Sequence, residues 1–124
     1  MSRMLIPSSA LPGFPQAETL ELAAVEGAPG LFTVSSPEAP TLRWFVLEAA
    51  LHLPHYTPQF TEEQLAAIGR PDPEARRVLT VVNTASQRPS ANLFAPLLVN
   101  DDTGQCAQVL LESQDWPLRH ELSA

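Results

Sequence analysis

The chain has 124 residues, of which 44% are hydrophobic, enough for one domain that folds without a staple. Its single cysteine, Cys106, has no internal disulfide partner. Fourteen acidic against seven basic residues give a net charge of −7, which repels phosphate backbones and argues against direct nucleic-acid binding. No apolar run approaches the roughly 20 residues that span a bilayer, and no charged-then-apolar leader opens the chain. These features lead us to expect a cytoplasmic protein that works without a membrane partner.

Thirteen prolines, spread along the chain, are about twice the ordinary share of roughly 5 per cent. They interrupt ladders and helices, so the expected class is all-β. We expect a small antiparallel barrel-like or sandwich domain over residues 1–124, in meander order, with one short helix. Residues 1–10 are expected to be poorly ordered or a short edge strand, with residues 3–6 as the strand-forming part. Pro12-Gly13 marks a turn. Leu20 and Leu22 alternate with polar neighbours, and Leu31–Ser35 follows Gly27-Ala28-Pro29-Gly30, a pattern for an antiparallel pair.

Residues 42–51 carry Trp44, Phe45, Val46 and Leu47 without a break, as expected of a central strand covered on both faces. Thr61-Glu62-Glu63-Gln64 fits a capping box, Leu65 and Ile68 share the next helical face, and Gly69 supplies the stop. A strand over Arg76–Asn83 follows. Residues 91–100 and 106–111 then read as a hairpin joined by Asp101-Asp102-Thr103-Gly104-Gln105.

Reactive constellations are sparse. His52, His55 and His120 are the only conceivable metal set, and a spacing of three in a strand or loop sends His52 and His55 to opposite faces. Cys106 with His120 lacks an oxyanion-hole signature and an orienting acid. Glu62 and Glu63 suit the start of a helix, where acids oppose its dipole, better than an acid-base dyad. Residues 100–104 lack the alternating oxygen ligands of a calcium loop, and the five glycines form no phosphate-cradling motif. No catalytic residue, metal or cofactor is expected.

The order of motifs resembles a known family. Leu11-Pro12-Gly13-Phe14, Leu53-Pro54-His55-Tyr56, the capped helix with Gly69, the Asn92-Leu93-Phe94-Ala95-Pro96 strand ending at Asn100, and Trp116-Pro117-Leu118-Arg119-His120 are together similar to the flagellar assembly factors called FliW. The resemblance implies a non-enzymatic cytoplasmic protein that binds flagellin and, when flagellin is scarce, antagonises the translational regulator CsrA. Carried over residue by residue, it suggests Phe14, Tyr56, Asn92, Pro96, Asn100, Arg119 and His120 as partner-binding candidates. From their positions alone, Asn92 and Asn100 can equally cap turns, and Pro96 can mark an edge or bulge. Arg119 can also pair with Asp115 or Glu121, and Phe14 and Tyr56 can be core or rim aromatics.

Family members usually carry an acidic strand before the Pro-Gly-Phe turn. Here the preceding residues hold no acid, so an edge strand is expected to be shortened or missing. Acidic charge would speed encounter with a basic RNA-binding partner within a Debye length of about 8 Å, and exposed sheet edges could take a partner segment by strand addition. The rivals are a small barrel holding a ligand inside, which the bulky Trp44, Phe45 and Leu97 argue against, and a hydrolase using Cys106 or a histidine.

Overall fold

Short strands with alternating inward and outward side chains set the architecture, which a computed structural model describes for residues 2–85 and 87–122. Met1, Ser86, Ser123 and Ala124 lie outside the described residues. Strands β1 (Ser2–Pro7), β2 (Leu20–Ala24), β3 (Leu31–Ser35) and β4 (Arg43–Glu48) pair antiparallel in sequence order. Helices α1 (Ala49–His52) and α2 (Glu62–Ala67) and a single 3-10 turn (Pro73–Ala75) intervene before β5 (Arg76–Asn83), which returns against β4. After the two-residue β6 (Ser90–Ala91), β7 (Leu97–Asn100) pairs with the first half of β5 and β8 (Gln105–Gln108) with β7.

The circuit closes where β8 runs parallel to β1, Ile6 opposite Gln105 and Pro7 opposite Cys106. Seven strands thus form a barrel in the order β1-β2-β3-β4-β5-β7-β8. β6 and β9 (His120–Glu121) extend as a small tab from the far end of β5. The all-β class stands, with one parallel contact in an otherwise antiparallel sheet.

Period-two alternation fills the barrel. Leu5, Leu20, Val34, Val46, Leu79, Leu97, Val99 and Cys106 belong to one buried cluster with Leu42. The intervening Leu98 and Ala107 belong to a second cluster outside the β7-β8 wall, where Ile68, Leu53, Tyr56, Leu93 and Leu111 cover them. All four residues of β7 are therefore buried. This is the doubly covered strand, rather than β4, whose Phe45 faces outward and is exposed.

Three further expectations give way to the structure. Residues 2–7 form a barrel strand bonded on both sides instead of a loose end or an edge: Leu5 is fully buried, Ile6 N donates to Gly104 O at 2.8 Å, and Arg3 pairs with Asp101 at 2.6 Å. An absent acidic pattern does not remove a strand whose inward residue still fills the core. The strand expected to run to residue 51 ends at Glu48, because Ala49-Ala50-Leu51 are good helix formers and Leu53-Pro54 stops the turn they make. That turn is α1, a second helix besides the expected one. In α2, Thr61 Oγ1 accepts from Gln64 N at 3.1 Å and Gln64 Oε1 from Thr61 N at 2.9 Å, the expected capping box, while Gly69 closes the helix at φ +87°.

Candidate partner-binding surface

The chain after β8 is strapped back over the barrel's outer cluster, and that strap builds one wall of a cleft. Tyr56 is buried, its hydroxyl donates to Leu93 O at 2.6 Å, and desolvation raises its pKa above the usual phenol range. Its ring meets Trp116 edge-on at 4.8 Å between centroids and 87° between planes, a favoured aromatic geometry. Trp116 Nε1 donates to Gln114 Oε1 at 3.0 Å, Gln114 Nε2 donates to Gln59 O at 2.8 Å, and Leu93 N donates to Pro117 O at 3.0 Å. These bonds fix the strap against residues 56–59 and the loop after β6.

The result is an open cleft of about 370 Å³ with Leu53, Pro54 and Leu93 among its apolar lining. His52, His55 and His120 all line it, together with Asp115. The expectation that His52 and His55 diverge fails because His52 ends α1 and His55 lies in the tight turn after it, where Tyr56 N donates to Leu53 O. Helical and turn backbone bring side chains three apart to one side. His52 is held by donating Nε2–H to Pro29 O at 2.8 Å. Among the described residues, no group of three or more His, Cys, Asp or Glu is placed to hold a metal ion.

The same strap borders a second, shallower groove of about 580 Å³, lined by Trp44, the end of β5, Asn92, Leu118 and Arg119. Phe14 stands edge-on to Trp44 at 5.9 Å, so it supports this groove as Tyr56 supports the first. Leu118 is 62% exposed, and Leu51, beside the cleft's His52, is 65% exposed. Arg119 is exposed, and Glu121, one of its expected partners, pairs instead with Arg88 at 3.3 Å.

Of the seven candidates, Tyr56 and His120 line or back the cleft, and Phe14, Asn92 and Arg119 the groove. Asn92 Oδ1 also accepts from Phe94 N and Ala95 N, an Asx turn that lifts the chain out of β6. Pro96 and Asn100 lie in the interior. Asn100 Nδ2 donates to Ile68 O at 2.8 Å and its Oδ1 accepts from Asp102 N at 3.0 Å, tying α2 to the hairpin turn. Sequence reasoning passes over Asp115, Trp116, Leu118 and Leu51 as surface residues. The adjacent Asp115 and Trp116, a charge beside a large ring in a terminal stretch, are the available signal.

Comparison with known proteins fits this architecture. The family model described as "FliW protein" matches residues 2–122. The chain belongs to the FliW family. FliW-family relatives named flagellar assembly factor FliW include one from Heliobacterium modesticaldum, 28% identical over 114 residues that cover 90% of this chain and 74% of the relative. Another, from Symbiobacterium thermophilum, is 27% identical over 113 residues covering 89% and 82%. The crystal structure of a flagellar assembly factor FliW superimposes with a TM-score of 0.86 at 21% identity, covering 98% of this chain and 86% of that one, so the barrel is the FliW fold.

Proposed function

We propose that this FliW-family chain is a cytoplasmic flagellar assembly factor that works by binding proteins: flagellin, and in its absence the translational regulator CsrA, whose repression of flagellin synthesis it relieves. The observation that carries the reading is the family match over residues 2–122. Physical features support a binding role. The barrel interior is packed with Leu and Val side chains, leaving the chemistry outside. The net charge of −7 favours encounter with a basic RNA-binding protein. Exposed Leu51 and Leu118 adjoin the cleft and the groove, and Arg119 and His120 sit on the strap that borders both.

The hydrolase reading loses support from geometry. Cys106 points into the barrel core, where desolvation pushes its thiol up to about 12, whereas His120 is exposed on β9. A thiol held neutral and out of reach of its base is a poor nucleophile. The test is co-purification of the full chain with separately expressed flagellin and CsrA, and release of a flagellin-leader RNA from CsrA. Capture of each partner, with flagellin displacing CsrA and RNA release weakening at high salt, is the expected result. Indifference to both proteins at micromolar concentrations overturns the proposal.

A further inference from the structure

We propose that the cleft between α1 and the C-terminal strap is a receptor for one cationic side chain, an arginine guanidinium presented by a protein partner. The claim rests on the reading of the chain as a partner-binding protein and adds which chemical group this site takes. Three observations point there. First, the cleft has ligand-site size, about 370 Å³ within the usual range of roughly 300 to 1,000 Å³. Second, among the described residues its lining holds one carboxylate, Asp115, and no arginine, although the chain has seven. Arg3, Arg70, Arg77 and Arg88 are ion-paired elsewhere, so those four cations do not compete for Asp115.

Third, half-buried Trp116, the best ring type for holding a cation over its face, lines the cleft, with buried Tyr56 packed edge-on against it. Both are fixed, Tyr56 by its bond to Leu93 O and Trp116 by its bond to Gln114, so little ordering is needed on binding. The three histidines add further flat rings. The fold already makes the same combination internally: the Arg77 guanidinium lies 5.4 Å from the centre of the Phe32 ring while Nη2 donates to Glu48 Oε1 at 2.6 Å. In the cleft, aromatic ring and carboxylate are present, and a guanidinium is the third member that completes the set. The planar fork of arginine suits ring and carboxylate together better than the point charge of lysine.

The test uses the full chain with Trp44→Phe, which leaves Trp116 as the sole tryptophan. Capped pentapeptides Gly-Gly-Xaa-Gly-Gly, with arginine, norleucine or glutamate at the centre, are titrated while indole fluorescence and the indole N–H resonance are followed. The arginine peptide should saturate with a Kd of roughly 1 mM and bind about threefold more weakly to the Asp115→Asn variant. Asp115 is exposed, so that variant keeps the fold. Equal or tighter binding of the norleucine or glutamate peptide, undiminished binding by Asp115→Asn, or no saturable signal with arginine overturns the proposal. Capture of flagellin and CsrA by the wild-type chain is scored separately, so failure of the peptide leaves the proposed function standing and loss of both partners does not depend on the peptide.

Discussion

Replacing Asn100 by alanine separates a structural from a partner-binding role at a residue that both readings claim. The wild-type amide donates to Ile68 O, whose residue is fully buried, and accepts from Asp102 N in the hairpin turn. Alanine strands the Ile68 carbonyl without a partner, at a cost of about 1 to 3 kcal/mol, while the more exposed Asp102 amide regains water and loses about 0.5 kcal/mol. The expected sum is roughly 1.5 to 3.5 kcal/mol. At about 2.1 cal/mol/K per residue the unfolding entropy of 124 residues is about 0.26 kcal/mol/K, so each kcal/mol lowers Tm by about 4 °C. A fall of about 6 to 14 °C by circular dichroism is therefore expected. Asn100→Asp should be no better, since a carboxylate keeps the acceptor for Asp102 N but faces the Ile68 carbonyl with a second oxygen. A Tm within about 2 °C of wild type, joined to lost capture of flagellin or CsrA by the folded variant, would refute the structural assignment and make Asn100 a contact residue.

Thr61→Ala removes one half of the capping box and should cost about 1 kcal/mol in urea unfolding, with the faster amide exchange confined to α2 and the turn after it. Cys106 should ignore Ellman's reagent at pH 8 until denaturant is added. Because burial raises its folded pKa from 9.0 to about 12, the unfolded chain releases the proton first, and this stabilising contribution, complete below pH 9, is lost as pH rises toward 12; Cys106→Ala should flatten that alkaline limb. Gly30→Ala should destabilise by about 1 to 2 kcal/mol and shift the His52 ring resonances, since Gly30 has φ +82° and an added Cβ would fall 2.6 Å from His52 Nε2.

Local rules are enough for the elements they govern. Leu31–Ser35 and Arg76–Asn83 occur with the expected bounds because β-branched and aromatic residues stand between strong turn signals. The capped helix occurs because its bonds are made within four residues. Closure is not legible, since the parallel contact of Ile6-Pro7 with Gln105-Cys106 joins segments far apart in sequence through backbone bonds, and the Arg3–Asp101 pair beside it is one of many possible pairings of an arginine with an acid. The burial of β4 departs from expectation for a related reason. A run of apolar residues looks the same whether its second face meets helices, as Leu98 does, or solvent, as Phe45 does.

The surface is harder to read than the fold, and the histidines show why. The consequence of their spacing depends on the backbone of residues 52–55, and a single change from strand to helix end moves His55 to the side of His52. His120 joins them only because β9 pairs with β6, placing it opposite Ala91. The motif residues that most resemble the family divide by what each side chain does. Asn92, Pro96 and Asn100 shape turns and fill space, Phe14 and Tyr56 hold two tryptophans, and Arg119 and His120 meet solvent. A short strap that gives Asp115, Trp116, Pro117 and His120 to the cleft and Leu118 and Arg119 to the groove can present two surfaces from one segment. Substitutions of Asp115, Leu118, Arg119 or His120 should therefore change partner binding more than stability, while those of Trp116 and its props, Tyr56 and Gln114, should change both together.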